Sequence, residues 1–264
     1  MAYAEVQLSD SSGGDEALTP SAALTDGGLW TVWQSYRASQ ERILARLYDG
    51  NEASDLEAVT PDGGARHAPQ VGVVDGVPTA VWIDGSDGVH RMVRSTRVEG
   101  AWTSFEALGD QDHVVSLDLA SVPDRLWATW CHMESKGTFS IWVSTYDGAA
   151  WSGPVRVRPR DEWVQRPTVA PARDGCWVFF DRYDGLSFSI WASFVSVEGT
   201  VSEAQPVSPA PKRQGLVTPD AWQLVPSGCV DRDGTPWIAW LCSQDVENES
   251  GVVDQWPTAR IARQ

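Results

Sequence analysis

The residues of this chain best suited to acid–base chemistry are its histidines and a few aspartates. His67 and His113 stand at nearly corresponding places in successive copies of a pattern that repeats about every 49 residues. Imidazole titrates near neutral pH, and a neighbouring carboxylate raises its pKa, so such a pair beside Asp112 and Asp84 is suited to proton transfer. The spacing therefore indicates these four as catalytic candidates, with His132 as a fifth.

Other interpretations of the same residues stay open. Each histidine could instead hydrogen-bond the backbone of its own loop. A metal site would need a fixed spacing of ligands, and the sequence has none, so neither a metal nor another cofactor is predicted. The G-x-S-x-G elbow, the phosphate-binding G-x-x-x-x-G-K loop and the dinucleotide-binding G-x-G-x-x-G motif are missing too. Cys131, beside His132, is interpreted as a buried thiol at a strand end rather than a nucleophile.

Aromatic, charged and amide side chains recur at similar loop positions and predict a surface that binds a ligand. Tyrosine and tryptophan rings stack on sugars and other flat molecules. Arginine holds a carboxylate or phosphate through paired hydrogen bonds, although here it could equally pair with aspartates and fix the loops. The predicted substrate-binding residues are Tyr36, Arg37, Arg66, Trp163, Gln165, Arg166, Asp181, Arg182, Tyr183, Trp222 and Gln223.

The repeated units of the sequence must position these loops. The motifs "LWTVW", "PTAVW", "LWATW", "CWVFF" and "PWIAW" end at positions 33, 82, 130, 180 and 240, with steps of 49, 48, 50 and 60 residues. A second marker, as in "LYDG" and "TYDG", follows the first four copies with a similar step. Periods of this length are typical of solenoids, propellers and arrays. The long fourth step includes "SPAPKRQGLVTPDAWQLV", which could fold over the other loops as a lid.

Each repeat has the pattern of four short antiparallel strands, which predicts a blade of a β-propeller. The sequence therefore predicts an all-β, five-bladed β-propeller in one domain, 1–264. Its blades are expected at about 18–64, 65–111, 112–162, 163–215 and 216–264. The last blade lacks a fourth strand, and residues 1–10 are predicted to supply it and so close the ring. The paired tryptophans, such as Trp30 and Trp33, are interpreted as packing between blades.

Carboxylates on the loop face are candidates for glycoside hydrolysis, which needs one protonated and one ionised carboxyl group. Asp84, Asp112 and Asp181 are the candidates, each from a different blade. Asp118 interrupts the apolar strand "VVSLDLA", where burial would raise its pKa unless it is paired. We interpret Asp118 as bonding to a neighbouring blade.

One stretch in the third repeat resembles a known motif. "STYDGAAW", Ser144 to Trp151, is similar, with one residue's slip, to the Asp-box S-x-D-x-G-x-x-W of sialidase-like (BNR-type) bacterial propellers. The stretch "SAALTDGGLWTVWQSYR" also looks like their repeats. The resemblance implies the propeller fold for the whole chain. It does not imply sialidase activity, because the arginine triad of those enzymes is not recognisable.

Composition limits the classes of partner. A formal charge of −16 argues against nucleic acid and anionic membranes. The start "MAYAEVQLSD" lacks the pattern of a signal peptide, which predicts a cytoplasmic protein, and the preference for arginine over lysine suggests a bacterial one. Because the loops differ between blades, one asymmetric pocket for a small polar or aromatic metabolite is the first expectation, with acid–base catalysis of hydrolysis, elimination or cyclisation. The alternatives are a carbohydrate-active protein, glycosidase or lectin, and a protein-interaction scaffold. Oligomeric state is not predicted.

Overall fold

Short runs of β-branched and aromatic residues, separated by tight turns, give this chain its regular structure. The computed structural model describes residues 6–9, 16–37, 40–108, 112–135, 137–185, 187–208, 223–247 and 253–263. All regular elements in these ranges are strands, nineteen in total, which confirms the all-β prediction. The same ranges contain no helix of the length and apolarity needed to cross a membrane.

The chain divides into two compact units. The first is Met1–Val114 with Ser121–Leu126 and Asp147–Ala150. The second is Val115–Ala120 with Trp127–Tyr146 and Trp151–Gln264. The predicted single domain stays a prediction.

The first blade is an antiparallel sheet of four strands in chain order. Its strands are β1 (Glu16–Thr25), β2 (Gly28–Arg37), β3 (Gln40–Tyr48) and β4 (Glu57–Ala58). Gly28 opens β2 with a φ of 132°, and a Cβ atom there would lie 2.3 Å from the carbonyl oxygen of Tyr48. Only glycine fits this close approach between β2 and the end of β3.

The second blade follows the same order. Its strands are β5 (Arg66–Val74), β6 (Val77–Asp84), β7 (Arg91–Val98), β8 (Ala101–Trp102) and β9 (Glu106–Ala107). Both short strands pair with β7: β8 extends it as a small hairpin, and β9 takes the fourth-strand position.

The third and fourth blades share one long strand. β10 (Val114–Val122), β11 (Arg125–Ser135) and β12 (Thr138–Tyr146) lead into β13 (Val155–Ala172). The first half of β13 pairs with β12, and its second half pairs with the next strand, β14. β13 is therefore the last strand of the third blade and the first strand of the fourth.

The fourth blade is completed by β14 (Gly175–Tyr183), β15 (Phe188–Ser196) and β16 (Gln205–Pro206). These strands are antiparallel and in chain order. With β8 counted as an extension of β7, each of the first four blades has four strands, as predicted.

The described part of the fifth blade has three strands, β17 (Gln223–Val230), β18 (Pro236–Glu247) and β19 (Val253–Arg263). Residues 6–9 form no strand, and the Leu8 carbonyl accepts a hydrogen bond of 2.8 Å from Nη1 of Arg46 on β3. Residues 1–5 and 10 lie outside the described residues. Closure of the ring by the N-terminal segment therefore stays a prediction.

The repeated tryptophans are packing residues, as predicted. Trp30 and Trp33 are both buried, although they project to opposite faces of β2. Trp30 packs with Trp82 and Val71 in one cluster, and Trp240 packs with Phe179 in another. Both faces of a strand can be buried because a blade is covered on both sides.

A bulge recurs near the start of the first strand in four blades, and the sequence did not predict it. The strand pairing shifts by one residue between Leu18 and Ser21, His67 and Gln70, Gln165 and Thr168, and Leu224 and Ser227. At each shift one residue other than glycine has positive φ. These residues are Thr19 (48°), Ala68 (52°), Arg166 (46°) and Val225 (54°). A bulge re-aims the side chain that it carries.

Candidate functional site

The fourth blade presents a group of predicted binding residues on one face. Trp163 of β13 lies directly opposite Tyr183 of β14, and Gln165 lies opposite Asp181. Residues directly opposite each other in an antiparallel pair project to the same side. Phe188 of β15 is opposite Tyr183 and joins this face.

The bulge brings Arg166 onto the same face. With regular alternation Arg166 would project away from Gln165, but its φ of 46° re-aims the side chain. Its Nε donates a hydrogen bond of 2.5 Å to Oδ2 of Asp181. Its guanidinium carbon lies 5.4 Å from the centre of the Phe188 ring. The Arg166 side chain is 35% exposed, whereas that of Asp181 is fully buried.

Burial raises the pKa of Asp181 to about 6, against the opposing effect of Arg166. The amide N–H of Val225 approaches Oδ2 at 3.5 Å. Oδ1 is buried and has no hydrogen-bond partner among the described residues. Asp181 is therefore a carboxylate whose position is fixed by one arginine and whose other oxygen is unpaired.

Beside this pair lies an aromatic surface, which we name the blade-4 ledge and define as Trp163, Tyr183 and Phe188. Trp163 is 43% exposed, and its ring centre lies 5.2 Å from that of Tyr183 in an edge-on arrangement. Tyr183 lies 4.9 Å from Phe188, and its hydroxyl donates to the Gly185 carbonyl at 2.9 Å. The ledge is therefore an ordered aromatic surface with one accessible ring.

The charged pair is missing from the equivalent positions of the three other blades that have the bulge. The positions equivalent to Arg166 hold Thr19, Ala68 and Val225 in the other blades that have the bulge. The positions equivalent to Asp181 hold Gln34, Ile83 and Leu241. The four bulged blades thus share a backbone shape, but only the fourth carries an ion pair there.

In the second blade, Arg66 is buried, and its Nε and Nη1 atoms are hydrogen-bonded. Its Nε donates to Oδ2 of Asp84 at 3.1 Å, and its Nη1 donates to the Pro61 carbonyl at 2.6 Å and to that of Gly63. Its backbone N–H donates to Glu41 at 2.7 Å. Arg66 thus pairs with an aspartate and fixes its loop, which was the alternative to a role in substrate binding.

Burial alone would raise the pKa of Asp84, but hydrogen bonds from Ser86 and Arg66 outweigh it and lower the pKa below the ordinary value. The Ser86 amide donates to Oδ1 at 3.0 Å. Asp84 therefore stays ionised at neutral pH and is better suited to act as a base or a fixed charge than as a proton donor.

The contact partner of His67 is His90, with ring centres 5.1 Å apart and edge-on. His90 packs directly on Gly85, where a Cβ atom would lie 2.3 Å from its Cδ2. Burial lowers the pKa of His67, and the positive charge that His90 can carry lowers it further, against the opposing charges of Glu41 and Asp84. His90 directly precedes Arg91, which pairs with Asp84 across the hairpin.

The other proposed members of the acid–base group have different surroundings. Asp112 accepts a hydrogen bond of 2.9 Å from Nε of Arg91. His113 is exposed, with a φ of 61°. The described ring contacts therefore pair His67 with His90 and not with His113. Their joint catalytic role stays a prediction.

The remaining candidates are spread over several strands. His132 is partly buried, with Nδ1 3.8 Å from Oε1 of Glu134. Tyr36 and Arg37 are exposed at the end of β2, and Gln223 is buried at the start of β17. Arg182 projects to the opposite face from Asp181 and stacks on Trp191 at 4.6 Å. Trp222 lies outside the described residues, as does most of the predicted lid.

Two further observations concern metals and thiols. Among the residues that the structure describes, no cluster of three or more His, Cys, Asp or Glu side chains could hold a metal ion. Cys131 is buried, its thiol lies 3.5 Å from the Val164 carbonyl, and burial raises its pKa to about 12. A thiol with that pKa stays protonated and is a poor nucleophile.

Together, the fold and this site define an all-β protein with a candidate binding face at the loop ends of a repeated sheet. Comparison with solved structures confirms the five-bladed β-propeller. An α-L-arabinanase from Penicillium chrysogenum complexed with arabinobiose has a TM-score of 0.55 at 10% identity, over 91% of this chain and 80% of that one. An α-L-arabinofuranosidase from Lactobacillus brevis has a TM-score of 0.51 at 15% identity, over 93% and 90%. No protein-family model and no curated protein matches the sequence.

The predicted membership of the sialidase-like (BNR-type) propellers is wrong, because the solved structures that share this fold include an α-L-arabinofuranosidase and an α-L-arabinanase. The structure explains the misleading motif. In "STYDGAAW", Oδ1 of Asp147 accepts hydrogen bonds from the amides of Ala149 and Ala150 at 2.9 and 2.8 Å. Asp49 makes the same kind of contacts in the first blade. Such aspartate-capped turns form in hairpins generally and do not identify a superfamily.

Proposed function

We propose that the protein is carbohydrate-active and binds an oligosaccharide against the blade-4 ledge. The observation that carries this proposal is the accessible ring of Trp163, held beside Tyr183 and the Arg166–Asp181 pair. The apolar faces of sugars stack on such rings, while sugar hydroxyls bond to nearby polar groups. The shared fold with proteins described as an arabinofuranosidase and an arabinanase supports this alternative better than the metabolite-binding one.

The test is to titrate the protein with arabino- and xylo-oligosaccharides by isothermal calorimetry. We expect saturable binding that Trp163→Ala weakens about tenfold, since loss of one stacked ring costs on the order of 1 kcal/mol or more. Phe105→Ala is the matched control, because Phe105 is 40% exposed but lies in the second blade. Binding that survives Trp163→Ala unchanged would place the ligand elsewhere.

Hydrolysis is the second candidate function, and the pKa of Asp181 favours it. A glycosidase needs a carboxyl group that is partly protonated near neutral pH, and Asp181 has a pKa of about 6. Because Asp181 is buried beside Arg166, this role requires the arginine to move when substrate binds. The second carboxylate would come from another blade.

Hydrolysis is tested with 4-nitrophenyl α-L-arabinofuranoside and linear arabinan. An enzyme should release product, and Asp181→Asn should slow it by about a hundredfold or more. Saturable binding without any product would instead identify a binding protein.

A further inference from the structure

We propose that Arg166 forms a carboxylate subsite, so that the oligosaccharide bound at the blade-4 ledge carries an acidic sugar, a uronic acid. This inference rests on the proposed function and specifies its ligand class. It depends on three features of the fourth blade: the free donors of Arg166, its fixation by Asp181, and the absence of the pair from the equivalent positions of the three other bulged blades.

The guanidinium of Arg166 has hydrogen-bond donors that are available to a ligand. Only its Nε is engaged, with Asp181, and neither Nη atom has an acceptor among the described residues. The side chain is 35% exposed, so these donors can reach a ligand. A guanidinium offers parallel N–H groups whose geometry matches a carboxylate. Arg66 in the second blade is the contrast, since it is buried and its Nη1 is bonded to two carbonyls.

Asp181 fixes the direction of that guanidinium. Its Oδ2 holds Nε at 2.5 Å, and the Phe188 ring lies under the guanidinium. The same ring packs against Tyr183, which packs against the exposed Trp163. A ligand anion on Arg166 would therefore belong to a molecule that also covers the ledge, as a sugar ring with an attached carboxylate does.

Stability does not explain the pair. Asp181 is buried but Arg166 is 35% exposed, and an ion pair with one partner in contact with solvent contributes little net stability. The second blade has Ala68 and Ile83 at the equivalent positions, with the same bulge and the same strand pairing. The bulged fold therefore does not require these charges, and a role in recognition accounts for them.

The test measures, by calorimetry at fixed ionic strength, the binding of trigalacturonic acid, its methyl ester and arabinotriose. We expect the acid to bind about tenfold tighter than the ester, which has the same ring shape without the charge. The variant R166A/D181I installs the second blade's residues, so its fold has a precedent in this chain. It should reduce the ratio of acid to ester affinity to about one.

Arg173→Gln is the control for nonspecific attraction of the acid to positive charge, because Arg173 is an exposed residue in the turn at the other end of the same hairpin. It removes one positive charge and should keep the preference for the acid. Equal affinity of the wild type for acid and ester overturns the subsite, and so does an unchanged preference for the acid in R166A/D181I. In either case, binding of arabinotriose would still support the proposed function. Absence of binding by all three sugars overturns both.

Discussion

At the scale of single residues, burial acts on Asp181 and His67 in opposite directions. It raises the pKa of the carboxyl group to about 6 and lowers that of the imidazole, because in each case it disfavours the charged form. Both groups are therefore moved toward neutrality at physiological pH. Neither shift was predictable from spacing, since each depends on how deeply the bulged first strand and its hairpin bury the side chain.

The shift of Asp181 predicts a pH-dependent stability. Its folded pKa lies above the unfolded value of 3.8, so the native state takes up a proton first as pH falls. Relative to Asp181→Asn, the wild type should gain about 1 to 1.5 kcal/mol in free energy of unfolding between pH 7.5 and pH 5. Urea denaturation at both pH values measures this difference.

Asp84→Asn is the control for that experiment. The lowered pKa of Asp84 keeps the carboxylate ionised in both folded and unfolded states from pH 7.5 to pH 5. The free energy of unfolding of Asp84→Asn should therefore differ from that of the wild type by the same amount at pH 7.5 and at pH 5. A constant difference for Asp181→Asn as well would mean that Asp181 is ionised throughout.

The neighbours of His67 predict how its titration responds to substitution. In nitrogen-detected NMR, the pKa of His67 should lie below 6.5 in the wild type. His90→Asn should raise it, because a repelling cation is removed, and Glu41→Gln should lower it further, because a stabilising anion is removed. Shifts in the same direction for both variants would contradict this electrostatic account.

At the scale of strands and blades, the repeat predicted the residues that share a face of the fourth blade, but not the backbone geometry that brings them together. Trp163, Gln165, Arg166, Asp181 and Tyr183 were all predicted from their loop positions, and one hairpin brings them to one face. The bulge that turns Arg166 toward Asp181 has no sequence signal, because Thr19, Ala68, Arg166 and Val225 share no side-chain property. The expected pairing of His67 with His113 likewise depended on loop geometry that spacing does not contain.

The structure supports the interpretation that Asp118 bonds to a neighbouring blade. Its Oδ2 accepts hydrogen bonds from the Thr168 hydroxyl at 2.6 Å and the Val169 amide at 2.9 Å, so it links the third blade to the fourth. Burial nevertheless raises its pKa, against these bonds. The side chain therefore acts mainly as an acceptor for two buried donors.

We expect Asp118→Asn to change the free energy of unfolding by less than about 1 kcal/mol, because the amide oxygen can accept the same bonds. Asp118→Leu should cost about 2 kcal/mol or more, since two buried donors lose their acceptor. Denaturant unfolding of both variants checks this. Equal losses would mean that the charge, and not the acceptor, matters.

At the scale of the whole molecule, the propeller was predictable because its period appears in two independent markers. The likeness to the arabinofuranosidase and arabinanase structures was not predictable, because at 15% and 10% identity they share the fold with this chain but little of its sequence. Burial of apolar strand faces can be satisfied by many sequences, so the fold carries little information about descent or activity. A turn motif such as Asp147 to Trp151 carries still less information about descent or activity.

The last prediction concerns how the fifth blade is completed. If residues 1–10 supply its fourth strand, deleting them exposes an unpaired edge and should lower the melting temperature by about 5 °C or more. Arg46→Gln separates this effect from the contact that the structure does describe, between Arg46 and the Leu8 carbonyl. The deletion should destabilise the protein clearly more than Arg46→Gln does, as measured by calorimetry. If the two variants melt at the same temperature, the N-terminal segment stabilises the protein only through the first blade, and the fifth blade folds with three strands.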